Sequence, residues 1–156
     1  VTECDILNED LTDIKTEGWL PQWKLHNIIC QSLDESIIEK NPIDKQIRSE
    51  IRAKLSSHKS FDQSRGMDEP LATDTEILYK MLLQKERCFY CHRLFHVLYQ
   101  DRFDPFQWSI DRIDNSKGHT SANTVLTCLR CNLRRRTREA GEFYRDRNLT
   151  IIKSLD

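Results

Sequence analysis

No stretch of this sequence holds the ~20 consecutive apolar residues that a helical membrane span needs. No secretory signal is visible either. The chain is therefore expected to work away from a membrane, and because it begins at Val1 rather than Met, further residues are expected upstream. Internal repeats and low-complexity tracts are missing. Net positive charge is lacking too: 24 Lys and Arg stand against 25 Asp and Glu, a formal charge of -1, so the chain as a whole is not a basic nucleic-acid binder. Apolar residues are scarce at 38%, with 31% charged. That allows a lean core, one that a bound metal would reinforce.

What is present is unevenly placed. Acidic residues dominate 1–17 and 34–39, while arginines crowd 130–147. Of six cysteines, Cys88 with Cys91 and Cys128 with Cys131 form two Cys-x-x-Cys pairs. That spacing reads as metal ligation in an intracellular, reducing compartment rather than a disulfide framework, with nucleus, cytoplasm and organelle equally open. Zn²⁺ accepts four thiolates at tetrahedral corners, and such a site is structural because no position stays open for water. Cys4 and Cys30 fall outside both pairs and read as small packing residues.

Along the chain, residues 1–18 suggest an extended arm or a short helical turn. Leu25, Ile28, Ile29, Leu33 and Ile37 recur at helical spacing over 22–39. Asn41 and Pro42 should cap and open a second helix. Its stripe of Ile43, Ile47, Ile51 and Leu55 faces either a core or a partner protein. A serine-rich linker is expected over 56–73, dividing a helical extension (1–70) from a second domain (71–156). Thr73 or Asp74 caps the next helix, which buries Ile77, Leu78, Met81 and Leu82.

Alternation over Phe103, Phe106, Trp108 and Ile110 predicts a half-buried strand ending at Asp111, with Asp111 on the opposite face from Trp108 and Ile110. Residues 114–122 are loop chemistry, and 124–127 form a second strand. From Leu129 a helix is expected to run through the arginines, with Leu129 and Leu133 inward and Asn132, Arg135 and Arg136 sharing another side. Arg130, Arg134, Arg135, Arg136 and Arg138 read as a phosphate track or as a solvated charged face. Asp111 and Asn132 suit a hard divalent ion such as Mg²⁺ or Mn²⁺, or are a turn aspartate and a capping asparagine.

Residues 88 to about 145 resemble the HNH (His-Me finger, ββα-metal) endonucleases of the zinc-bound type. The matching text is Cys88-x-x-Cys91, then Ser109-Ile110-Asp111-Arg112-Ile113-Asp114-Asn115-x-x-Gly118. Asn123-x-Val125-Leu126-x-Cys128-x-x-Cys131-Asn132 follows, with Glu142-Phe143 beyond. The resemblance implies an α+β fold, a zinc-stapled ββα domain preceded by a helical extension. It further implies Asp111 and Asn132 as ligands of a catalytic Mg²⁺ or Mn²⁺, Asn123 as the residue that orients the base or braces the loop, and hydrolysis of DNA. The departure is Arg112, which stands where many members carry the histidine general base. Its pKa above ~12 prevents it from accepting a proton. His119 is the nearest replacement base, or else a solvated loop histidine, and Arg112 would instead clamp a phosphate. Two functions follow as expectations. One is a metal-dependent DNA endonuclease. The other is an inactive zinc module that binds nucleic acid, DNA ahead of RNA, or serves a larger assembly through its N-terminal helices.

Overall fold

A computed structural model describes residues 20–149; the acidic arm and Cys4 lie outside them. Among the described residues there are five α-helices and one two-stranded antiparallel sheet, a mixed α+β architecture. None of these helices is long and apolar enough to cross a membrane.

Helix α1 (Gln22–Leu33) stops earlier than its apolar spacing suggested. Asp34 interrupts it, because its carboxylate accepts bonds from the backbone N–H and the hydroxyl of Ser36 and so starts a turn. Helix α2 (Pro42–Ser64) begins as expected, with the Asn41 side chain accepting from the Ile43 N–H. It then continues through the first half of the expected linker. Ser57, Ser60 and Ser64 turn their hydroxyls back onto the carbonyls of Ala53, Ser56 and Phe61, which lets a serine-rich stretch stay helical. Helix α3 (Asp74–Leu83) opens on a full capping box: Thr73 Oγ1 accepts from Glu76 N–H, and Glu76 Oε2 accepts from Thr73 N–H.

Strands β1 (Trp108–Arg112) and β2 (Thr124–Cys128) pair with Trp108 opposite Cys128 and Asp111 opposite Val125. Phe103 lies outside β1 and is exposed. One hairpin face carries Trp108, Ile110 and Leu126 into an apolar cluster with Ile29 of α1, Ile51 of α2, and Ile77, Leu78 and Met81 of α3. The isoleucine stripe of α2 therefore faces core. Gln84 extends α3 onto the sheet, donating to and accepting from the backbone of Leu126. On the other hairpin face lies α4 (Leu129–Arg135), which starts where β2 ends. It stops at Arg135, one residue short of the expected shared face with Arg136, and Leu133 is 65% exposed rather than inward. Helix α5 (Ala140–Asn148) closes the described chain, burying Phe143 against Tyr90.

Candidate functional site

Two tight turns bring the four paired cysteines together. At the first, the Cys88 N–H donates to Arg93 O at 2.8 Å and the His92 N–H to Cys88 O at 2.9 Å. At the second, Cys128 is both the last residue of β2 and the N-cap of α4, and its Sγ accepts from the Cys131 N–H at 3.5 Å. All four sulfurs lie within 4.8 Å of one another, and Cys91 and Cys128 are 3.9 Å apart. A metal at ~2.3 Å from each sulfur requires edges of about 3.8 Å. Hydrogen bonds from Cys128 and Cys88 push the Cys131 thiol down to about 4, while the same contact with Cys131 pushes Cys128 up. Four thiols this close together can hold a metal such as zinc, which binds them as thiolates with release of their protons.

The second constellation sits a few residues away, on the α4 side of the hairpin. A cleft of about 340 Å³ is lined by Asp111, Arg112, His119, Asn132 and Arg136, with His58 and Phe61 contributed by α2. Asp111 is nearly buried. Its Oδ2 accepts from Tyr90 Oη and from Arg135 Nη1, both at 2.8 Å. Asn132 donates from Nδ2 to Ser109 Oγ at 2.7 Å. Among the described residues, one oxygen on each side chain, Asp111 Oδ1 and Asn132 Oδ1, is left without a hydrogen bond, and both residues face the cleft. These are hard oxygen donors of the kind Mg²⁺ or Mn²⁺ accepts, although Arg135 offsets part of the charge on Asp111.

Arg112 does not touch Asp111 through its side chain. Its Nη1 donates to the carbonyls of Asn115 and Lys117 at 3.0 Å, and its guanidinium lies 5.0 Å from the centre of the Phe61 ring. Asn123 braces the loop, its Oδ1 accepting from Asp114 N–H and its Nδ2 donating to the carbonyls of Asp114 and Gly118.

His119 is buried rather than solvated, and it is held from α2. Its Nδ1 lies 2.7 Å from Asp62 Oδ1, and its backbone N–H donates to Asp62 Oδ2 at 2.8 Å. Burial disfavours the Asp62 carboxylate, but those two bonds keep its pKa below the ordinary range. Burial also pushes His119 below the usual histidine value against the pull of Asp62. The ring of His58 stacks on His119 at 4.0 Å.

No family model, curated protein or solved structure matches this chain.

His58 is pushed down from 6.5 to about 4, first by burial and then by the charge of His119. A histidine with a depressed folded-state pKa takes up its proton in the unfolded chain first. Its contribution to stability is thus complete above pH 6.5 and lost as the pH falls toward about 4. Between pH 6.5 and pH 5 the loss should reach about 2 kcal/mol. Urea unfolding of wild type and His58→Gln at both pH values measures it. Equal losses in the two proteins would refute the assignment to His58.

The arginines part company. Arg135 is 1% exposed, enclosed by Asp111 and by the carbonyls of Ile113, Arg138 and Arg112. Its place in the expected phosphate track is corrected: the side chain points inward because the buried carboxylate of Asp111 needs a counter-charge. Arg138 is engaged by Glu142 and Asp146. Arg134 and Arg136 are exposed, and Arg130 is half-buried. Arg136 has a φ of 52°, a costly backbone for a residue with a side chain, and it stands at the lip of the cleft. His92 is exposed and edges Tyr144, while His96 pairs with Asp104. Sequence reasoning missed His58, Phe61 and Asp62 altogether. Their only sequence signal is two ionisable residues and an aromatic on one side of a helix otherwise patterned for core.

Proposed function

We propose that this protein is a metal-dependent nuclease of the HNH type, which hydrolyses phosphodiester bonds of DNA in the cleft between α2, the hairpin and α4. The observation that carries the reading is that His119, with Nδ1 occupied by Asp62, faces the same cleft as Asp111 and Asn132. The residue that matches the family's usual base position is Arg112, so the base must come from elsewhere, and His119 meets the need. Held neutral by burial, it offers Nε2 as a proton acceptor.

In this scheme His119 takes a proton from water as the water oxygen bonds to phosphorus. The bond from phosphorus to the leaving oxygen then breaks, and that oxygen collects a proton from solvent. Asp111 and Asn132 would hold Mg²⁺ or Mn²⁺, which supplies charge stabilisation at the phosphate and the leaving oxygen. Arg112 and Arg136, both at the cleft, grip phosphate oxygens. Arg130 and Arg134 continue the contact along the strand without reading bases. The four cysteines hold zinc that fixes the start of α4, and Asn132 with it.

Supercoiled plasmid incubated with the full chain and Mg²⁺ or Mn²⁺ should be nicked. His119→Ala should slow nicking by about 10²–10⁴-fold, the usual contribution of a general base. A wild-type protein that leaves the plasmid intact, or a variant as fast as wild type, would end this reading. A second reading is favoured by one contact, the ion pair of Arg135 with Asp111. If that pair displaces the divalent ion, the module binds nucleic acid without cutting it. Binding would then be salt-sensitive and lost with Arg130, Arg134 and Arg136, and no hydrolysis would accompany it.

A further inference from the structure

We infer that Asp62, on α2, is a positioning residue that holds the His119 ring with Nδ1 protonated and Nε2 as the open acceptor at the cleft. The inference rests on the reading of His119 as the base. It is carried by a set of bonds from residues 62–72 onto the loop that bears His119.

One carboxylate serves two donors on the same residue, the ring at 2.7 Å and the backbone N–H at 2.8 Å. The neighbouring Gly118 N–H donates to Glu69 Oε2 at 2.6 Å, and the Ala72 N–H donates to His119 O at 2.9 Å. Gly118 eases this approach, because a Cβ there would sit 3.0 Å from both Asp62 Oδ2 and Glu69 Oε2 and the carboxylates would have to give way. The ring plane is fixed as well: His58 stacks on one face at 4.0 Å and Phe61 meets it edge-on at 6.1 Å. A carboxylate can only accept, so the ring must present N–H at Nδ1, and its remaining nitrogen makes no hydrogen bond among the described residues. An aspartate that orients a histidine in this way sets the tautomer and does not itself take the proton.

Asp62→Asn probes this directly. An amide has one accepting oxygen and one donating nitrogen, so it cannot serve both donors of His119. Nitrogen-15 spectra of the imidazole in the full wild-type chain at neutral pH should show Nδ1 protonated and Nε2 bare, and the variant should show a mixture. Cleavage of plasmid by the variant should lose about 100-fold or more in kcat while KM moves less than about threefold. Zinc content and melting temperature measured alongside separate this effect from misfolding. A wild-type ring protonated at Nε2 overturns the inference with no variant required, as does wild-type kcat in Asp62→Asn. A wild-type chain that shows the Nδ1–H tautomer yet cleaves nothing defeats the nuclease reading alone and leaves the orientation by Asp62 standing.

Discussion

With zinc held by the four cysteines as proposed, stripping that metal should unfold the hairpin and both C-terminal helices at room temperature. The reasoning is energetic. A structural zinc bound by thiolates contributes about 10–16 kcal/mol at neutral pH, whereas whole domains are stable by about 5–15 kcal/mol. The apolar core here is lean, and three of its buried members, Cys88, Cys128 and Cys131, belong to the four-sulfur cluster. Without a cation the four sulfurs, all within 4.8 Å, must keep protons or repel one another. Near-UV circular dichroism of Trp108, which is fully buried, reports the loss when a strong chelator is added. Cys131→Ser should behave like the chelated wild type. An unchanged spectrum after chelation, with metal analysis confirming that none remains, would show that the sulfurs are not what holds the hairpin.

On the nuclease reading, Asp111→Asn should remove cleavage and much of the stability at once, for separable reasons. Arg135 is buried, and Asp111 is its carboxylate partner at 2.8 Å. Leaving that guanidinium without a counter-charge costs about 3–5 kcal/mol. Tyr90, whose pKa is raised by burial and then by Asp111, stays a neutral donor and cannot substitute. The same change removes the anionic oxygen proposed for the divalent ion, a loss on the order of 10³-fold in rate. Arg135→Met separates the two effects. It breaks the pair from the other side, with a comparable loss in urea unfolding, but it keeps the carboxylate and relieves it of a competing cation. On the nuclease reading Arg135→Met cleaves at least as fast as wild type at a temperature where it is folded, and Asp111→Asn does not. Two variants equally inactive while folded would place the role of Asp111 in structure rather than in metal binding.

Much of the scaffold was legible because its signals are local. Asn41 before Pro42 and Thr73 with Glu76 announce helix starts through bonds that span two or three residues. Alternation from Trp108 to Ile110 and the run from Thr124 to Thr127 announce the hairpin, and the cysteine spacing announces the nest. Errors arose where a local rule met a competing bond. Serines at 57, 60 and 64 read as linker until their hydroxyls are seen to bond within the helix. Arg135 read as surface because helical spacing put it beside Arg136, but α4 ends there and the buried Asp111 draws the guanidinium in. Asp62 was invisible as a site residue because 57 positions separate it from His119. Nothing in the spacing or periodicity around Asp62 points to the loop it will meet.

That long-range clasp bears on how the molecule can be divided. A fragment cut from Cys88 to Arg145 would carry the sulfur nest, Asp111 and Asn132, and would look self-sufficient on paper. Grafted into another protein it would arrive with His119 parted from Asp62, and with Gly118 keeping its carbonyl bond from Asn123 but losing its N–H bond to Glu69. The portable unit is longer than its motif and must begin no later than the helix that ends at Ser64.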